Sequence, residues 1–355
     1  MAVMPVPFET PITPMLAKAS AKVPTSDDKS TWSYEPKWDG FRCVLVKDGD
    51  EVELESRGSK PLTRYFPELV EAARRDLPDR CVLDGEIIVR SGTPGAERLS
   101  FEALGQRIHP AESRVTKLSV ETPAEIVFFD CLWIGGDSLM EQPFEQRRSV
   151  LVDALADLPA GSPFHVTRVT DDAAVAARWF EQFEGAGLDG VIAKDLAGTY
   201  QPGKRAMLKI KHSRTCDAVL VGYRIHKSGN GVGSLLLGLY DDEGNLRNVG
   251  GILAFTAKRR IELIDELADL VVTDDSGEAV RGATDRSRFS SNKDVSFVRL
   301  RPERVVEVKF DQLEGSRFRH GVTFLRWRPD REPESCLLDQ VDRAAEYDLG
   351  EVLTR

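Results

Sequence analysis

At 355 residues, 41% hydrophobic and 30% charged, the chain is long enough for two domains with sizeable cores and has the balance of a soluble globular protein. No run approaches a membrane span, and Met1-Ala2-Val3-Met4-Pro5 lacks the basic and apolar regions of a secretory signal. The five cysteines have no C-x-x-C spacing, which argues against a disulfide framework or structural zinc and for a reducing cytoplasm, while the net charge of −10 weighs on average against a nucleic-acid partner.

Residues 1–30 read as a leader with little periodicity. The alternating stretches 41–46 and 52–54, joined through Lys47-Asp48-Gly49-Asp50, predict a β-hairpin. A helix is expected from Phe66-Pro67, with proline in its first turn. Residues 82–89 read as a strand bent at Asp84-Gly85, 100–108 as an amphipathic helix, and 124–132, a dense apolar run, as a buried central strand. Helices follow over 143–155 and 172–186, then short strands over 188–194 and 207–211. This order implies an α+β domain with antiparallel sheets. Beyond Asp217 the texture changes to glycine-rich strands over 218–223, 233–240 and 248–252, a helix over 258–270, and strands over 305–310 and 323–327. Five strands with one interposed helix is the pattern of an OB-fold β-barrel. The boundary falls near 214–217, giving domains of 1–215 and 216–355, the second ending in a C-terminal tail.

Charge is segregated along the chain. Lys204, Arg205, Lys209, Lys211, Arg214, Arg224 and Lys227 face a single acid, Asp217, between Gly203 and Gly229, whereas acids gather at Asp241-Asp242-Glu243, Asp265-Glu266 and Asp274-Asp275. A basic strip is therefore compatible with an acidic protein.

Glu35-Pro36-Lys37-Trp38-Asp39-Gly40-Phe41-Arg42 sets a lysine between a proline and a strand-forming run. An apolar, turn-bounded seat partly desolvates such a lysine, which makes Lys37 a candidate nucleophile; alone, Lys-x-Asp-Gly is better read as a surface lysine beside a turn, and it is the company of the later motifs that favours the nucleophile. Lys37-Trp38-Asp39-Gly40 with Arg42 resembles motif I of the covalent nucleotidyltransferases, the superfamily of ATP-dependent DNA ligases, RNA ligases and capping enzymes. The remaining motifs resemble the DNA ligase branch, and in size and order its small bacterial form, DNA ligase C. The resemblance runs from about Met15 to Arg331 and rests on six ordered motifs.

Each motif implies a task in transferring a nucleotide to lysine. Glu35 matches the position that accepts from the adenine amino group. Phe129, in Val127-Phe128-Phe129-Asp130, matches motif III, where a ring stacks on the purine for about 1–3 kcal/mol, leaving Phe128 on the opposite strand face for the core. Arg42 and Arg57, the latter in Ser56-Arg57-Gly58, would contact ribose and phosphates. Glu86, in Asp84-Gly85-Glu86, would serve the ribose or metal region, and Asp189 holds the motif IV place, where glutamate is usual, so it reaches a metal directly or through water. Lys209 and Lys211 resemble motif V; two apart on a strand, they project to one face, with Lys194 a third phosphate candidate. Arg328-Pro329-Asp330-Arg331 resembles motif VI, with arginine where the family has lysine, and implies a second domain that swings over the nucleotide.

The resemblance implies an ATP-dependent DNA ligase that seals 3′-hydroxyl/5′-phosphate nicks through a lysine-AMP intermediate. ATP and Mg²⁺ or Mn²⁺ would be its cofactors and nicked double-stranded DNA its partner, in a cytoplasmic monomer acting in repair alongside repair proteins and with no membrane. An RNA ligase or a GTP-using capping-type enzyme shares the core chemistry and is the alternative.

Overall fold

The computed structural model describes residues 11–353 except 28–29, 59, 213, 284–295, 312, 315–316 and 342–346. The chain forms two compact units, residues 1–211 with 344–355, and residues 212–343.

Two larger sheets form the body of the first unit, with a two-stranded pair, Arg90–Ser91 and Arg98–Leu99, beside them in the chain. Four strands lie in the order Leu16–Ala19, Arg205–Ile210, Val191–Asp195, Trp32–Pro36, the first pair parallel and the others antiparallel. The second sheet runs Phe164–Val166, Glu125–Ile134, Arg80–Ile88, Phe41–Asp48, Glu51–Ser56, with Asp137–Ser138 beside Glu125–Ile134. Alternation sorts its side chains. Cys43, Leu45 and Phe128 enter a cluster with Phe66, Leu69 and Leu151, whereas Val44, Val46 and Leu132 enter another with Met15, Tyr200 and Met207. Glu125–Ile134 is thus buried on both faces, which is why its sequence reads as an unbroken apolar run.

The four-stranded sheet is asymmetric. Tyr34, Val191, Ala193 and Ile210 pack with Ala176 of the helix Ala173–Gln182, so the opposite face, which carries the alternate residues, is left for polar groups.

The second unit is built on a curled, antiparallel half-barrel sheet. Its long strand Arg214–Ile225 pairs on one side with Val232–Tyr240 and on the other first with Val305–Phe310 and then with Ser296–Arg299. Leu246–Ile252, Arg281–Ala283 and Thr323–Trp327 complete the seven strands of this sheet, Leu313–Glu314 and Arg317–Phe318 pair separately as a two-stranded ribbon, and the helix Ala257–Leu267 buries Leu263 and Leu267 in the core. Two of these strands, Arg281–Ala283 and Ser296–Arg299, are additional to the five expected from the sequence.

The tail is a correction to the expected 216–355 span. Residues 347–353 belong with the first unit: Leu349 and Val352 are buried in a cluster with Trp38, Phe129, Phe183 and Leu188, and Leu349 N–H donates to Glu97 O at 2.9 Å. Apolar residues in the closing helix Leu349–Leu353 find their burial there.

Candidate active site

Register decides which residues meet. Ile192 pairs with both Lys209 and Glu35, so these two share a face of the four-stranded sheet with Lys194, and Lys37 and Lys211 follow two residues along their own chains. Next to this row the sheet bulges. Asp189 N–H donates to Lys37 O at 3.0 Å and Lys37 N–H to Gly190 O at 2.8 Å, setting two residues against one. Gly190 has φ +126°, and a Cβ there would stand 2.0 Å from Ile210 O. Such a bulge re-aims a side chain. Here it brings Asp189 Oδ2 to 2.6 Å from both Lys37 Nζ and Lys211 Nζ.

Lys37 Nζ therefore faces a carboxylate, not the apolar seat expected from its sequence neighbours. Burial alone would raise the carboxyl of Asp189, but Lys37 and Lys211 outweigh it and hold the pKa below the ordinary value. Lys209 makes no ion pair among the described residues. Partial burial first, and then Lys211 and Lys37, lower its pKa. A cation kept among cations on an open sheet face is a seat for an anion.

Farther along the same face lies a buried polar network. Lys194, 3% exposed, places Nζ 3.0 Å from Glu35 Oε1 and donates to Phe129 O at 2.9 Å. Asp130 lies 4.0 Å from Lys194 and takes a forked pair of hydrogen bonds from buried Arg147, at 2.7 and 3.1 Å. The Lys194 ammonium is thus enclosed against Glu35 and does not extend the Lys209–Lys211 cluster. Burial raises the pKa of Glu35 despite Lys194, and its Oε2 has no hydrogen-bond partner among the described residues. A buried acceptor left without a donor in this way fits a ligand donor.

Phe129 is the extra residue of a second bulge: Asp84 pairs with Asp130 and Gly85 with Phe128, leaving Phe129 between them. Its ring carries Lys194 Nζ 4.7 Å and Arg42 Cζ 4.5 Å from the centroid. Arg42 forks onto Asp84 with both bonds at 2.6 Å. Burial works against its charge, but Asp84 outweighs it and the guanidinium pKa rises. Glu86, across the strand pair from Arg42, accepts from Gly40 N–H at 3.2 Å. Burial pushes its pKa up to about 6, with Arg42 and Lys37 restraining the rise. Arg57 stands exposed just past Glu51–Ser56, whose last residue pairs with Cys43 next to Arg42.

Among the described residues no three His, Cys, Asp or Glu side chains cluster as a cation cage. Glu86 and Asp189, each already near a cation, fit the mode in which one or two carboxylates share a divalent ion with substrate phosphates. Arg328 lies in the second unit, where its Nη1 donates to both oxygens of Asp217 at 3.0 and 2.9 Å and its Nε and Nη2 fork onto Asp330 at 2.9 and 2.8 Å.

Two family models cover the chain: an ATP dependent DNA ligase domain matches residues 14–211, and an ATP dependent DNA ligase C terminal region matches 228–331. The chain belongs to the ATP-dependent DNA ligases. This ligase is 53% identical to DNA ligase C1 of Mycolicibacterium smegmatis, over 99% of each chain. It is 51% identical to DNA ligase C of Mycobacterium tuberculosis, again over 99% of each. A solved structure from a study of Lig E DNA ligases is similar in fold, with a TM-score of 0.54 at 18% identity over 88% of the ligase and 99% of that chain.

Sequence reasoning passed over four residues that the ligase builds into this site: Asp84, Asp130, Arg147 and Tyr200. Asp84 and Asp130 sit inside quoted motifs, and a carboxylate within a buried apolar strand was the signal that each needed a cationic partner.

Proposed function

We propose that Lys37 is the nucleophile of ATP-dependent adenylylation and that the lysine-AMP so formed is used to seal 3′-hydroxyl/5′-phosphate nicks in double-stranded DNA. The observation that carries this reading is the convergence of Lys37, Lys209 and Lys211 on one sheet face around Asp189. Adenylation is assigned to the first unit. Duplex contact, together with Arg328 as a cation for the departing pyrophosphate, is assigned to the second.

Lys37 Nζ, having given up a proton to solvent, forms the N–P bond to the α-phosphate as the P–O bond to pyrophosphate breaks. Asp189 holds the amine in place, and Lys209 and Lys211 offset the charge of the phosphates. Glu35 accepts from the adenine amino group through Oε2, Phe129 stacks on the base, and Lys194 keeps Glu35 fixed. Arg42 and Arg57 contact ribose and phosphate. Bound Mg²⁺ or Mn²⁺ supplies Lewis-acid neutralisation of the phosphates, and Glu86 and Asp189 would hold it. The AMP then passes to the 5′-phosphate of the nick, and the 3′-hydroxyl displaces it. Repair is the setting we assign, with DNA held through its backbone.

Incubation with labelled ATP or GTP, followed by denaturing separation, tests the reading. Labelling from ATP that is abolished in Lys37→Ala, together with sealing of an all-DNA nick, is expected. Labelling from GTP alone, or sealing confined to RNA, would transfer the reading to a capping-type enzyme or an RNA ligase.

A further inference from the structure

Tyr200 lies between the strands Val191–Asp195 and Arg205–Ile210 and is 2% exposed. Its hydroxyl donates to Asp84 Oδ2 at 2.6 Å and accepts from Met15 N–H at 3.0 Å. Asp84 has no exposed surface and also receives both arms of the Arg42 fork, at 2.6 Å each. Arg42 closes the circuit by donating from Nη2 to Met15 O at 3.3 Å. Four residues, Tyr200, Asp84, Arg42 and Met15, therefore form a ring of hydrogen bonds directly beside Phe129, over which Arg42 lies.

The ring answers a mechanical problem. Arg42 is a long side chain with several rotatable bonds, and a cation that must meet a nucleotide in one orientation gains from being fixed beforehand. Asp84 fixes the fork, but a carboxylate can turn about its own side chain. A third donor on Oδ2, from a rigid ring anchored in the core with Val44, Val46 and Leu132, removes that freedom. Burial and Asp84 hold the phenol well above its ordinary pKa, so it remains a donor throughout the working range.

We propose that Tyr200 is a positioning residue for adenylylation: its hydroxyl locks Asp84, and through Asp84 sets Arg42 against Phe129 for the incoming nucleotide, while pinning the Met15 segment to the same site. The proposal rests on the reading of Arg42 as a nucleotide contact.

The test is single-turnover adenylylation of the full chain over a range of ATP concentrations. In Tyr200→Phe, which keeps the ring and loses the hydroxyl, the ATP concentration for half-maximal rate should rise about fivefold to tenfold, as expected for a lost charge-assisted bond. The limiting rate should change much less, because uniform binding is what Arg42 loses. Asp84→Asn should raise the same concentration, and adding Tyr200→Phe to it should produce no further rise, since both act through one fork. Should Tyr200→Phe fold poorly, Tyr200→His, which can return a donor, replaces it, and partial recovery of ATP affinity relative to Tyr200→Ala is expected. Unchanged ATP dependence in Tyr200→Phe, or simple additivity with Asp84→Asn, would reduce Tyr200 to packing and overturn the proposal. In that case loss of labelling in Lys37→Ala would leave the proposed function standing. Labelling that survives in Lys37→Ala would overturn both.

Discussion

Lys37 Nζ lies 2.6 Å from Asp189 Oδ2, and the same oxygen is equally close to Lys211 Nζ. One buried carboxylate thus balances two ammonium groups, with Lys209 close enough to feel its charge but in no ion pair among the described residues. Asp189→Asn removes that balance and leaves three cations to repel one another, so adenylylation should fall about a hundredfold. The acid limb of stability should also change. The folded pKa of Asp189 is depressed below 3.8, so its pairing stabilises the fold above that value and is lost as pH falls through the lower, folded one. Acid unfolding followed by circular dichroism should begin less steeply in Asp189→Asn.

Glu86 behaves in the opposite sense. Its pKa rises from 4.5 to about 6, so the folded state prefers it protonated. That contribution is present below the unfolded value and lost as pH rises through about 6. Glu86→Gln should therefore be more stable than wild type near pH 8, by about 1–2 kcal/mol in denaturant melts. The same variant should lose activity. In wild type the adenylylation rate should climb with pH through about 6 as the carboxylate ionises, and Glu86→Gln should lack that step.

Lys194 and Glu35, 3.0 Å apart and both buried, form a pair in which removing one member strands the other. Lys194→Met should cost about 3–5 kcal/mol. Combining it with Glu35→Leu should restore part of the loss in urea unfolding. Glu35→Leu, however, should not regain discrimination between ATP and GTP, because the acceptor for the base is gone.

Gly190 carries the bulge that delivers Asp189. Any Cβ meets Ile210 O, and φ is +126°. Gly190→Ala should destabilise by about 1–3 kcal/mol, and its adenylylation rate should drop toward that of Asp189→Asn. Retention of full rate would mean that Asp189 reaches Lys37 without the bulge.

DNA affinity should depend on salt although the net charge is −10. A protein that neutralises several phosphates loses about tenfold or more in affinity between about 50 and about 200 mM salt. Fluorescence anisotropy with nicked duplexes of different sequence should give one shared slope, since backbone contacts carry no sequence information.

Much of the site was legible because strands have a period of two. Lys209 with Lys211 could be assigned a common face from spacing alone, and Phe128 could be separated from Phe129. Spacing assigns a face but not a depth, which is why Lys194 reads as another phosphate cation although its ammonium is enclosed. Bulges break the period and leave little trace in composition, so the approach of Asp189 to Lys37 could not be read. Tyr200 and Asp84 meet across 116 residues, a distance over which sequence pattern is silent. Helix Glu112–Glu121 escaped notice for a different reason: only Val115 and Leu118 are buried, too narrow a stripe to stand out. The strand Leu16–Ala19 is short, exposed at its end, and paired only at a sheet edge.

The seating of Leu349 and Val352 among Trp38, Phe129, Phe183 and Leu188 has a consequence for synthesis. A domain emerging from the ribosome can fold as soon as its own core is complete. Here the first unit must wait while residues 212–343 are translated, with an apolar notch open beside Trp38. A fragment halted at residue 211 would carry that notch permanently, and self-association through it, rather than loss of any chemical group, would be its first defect.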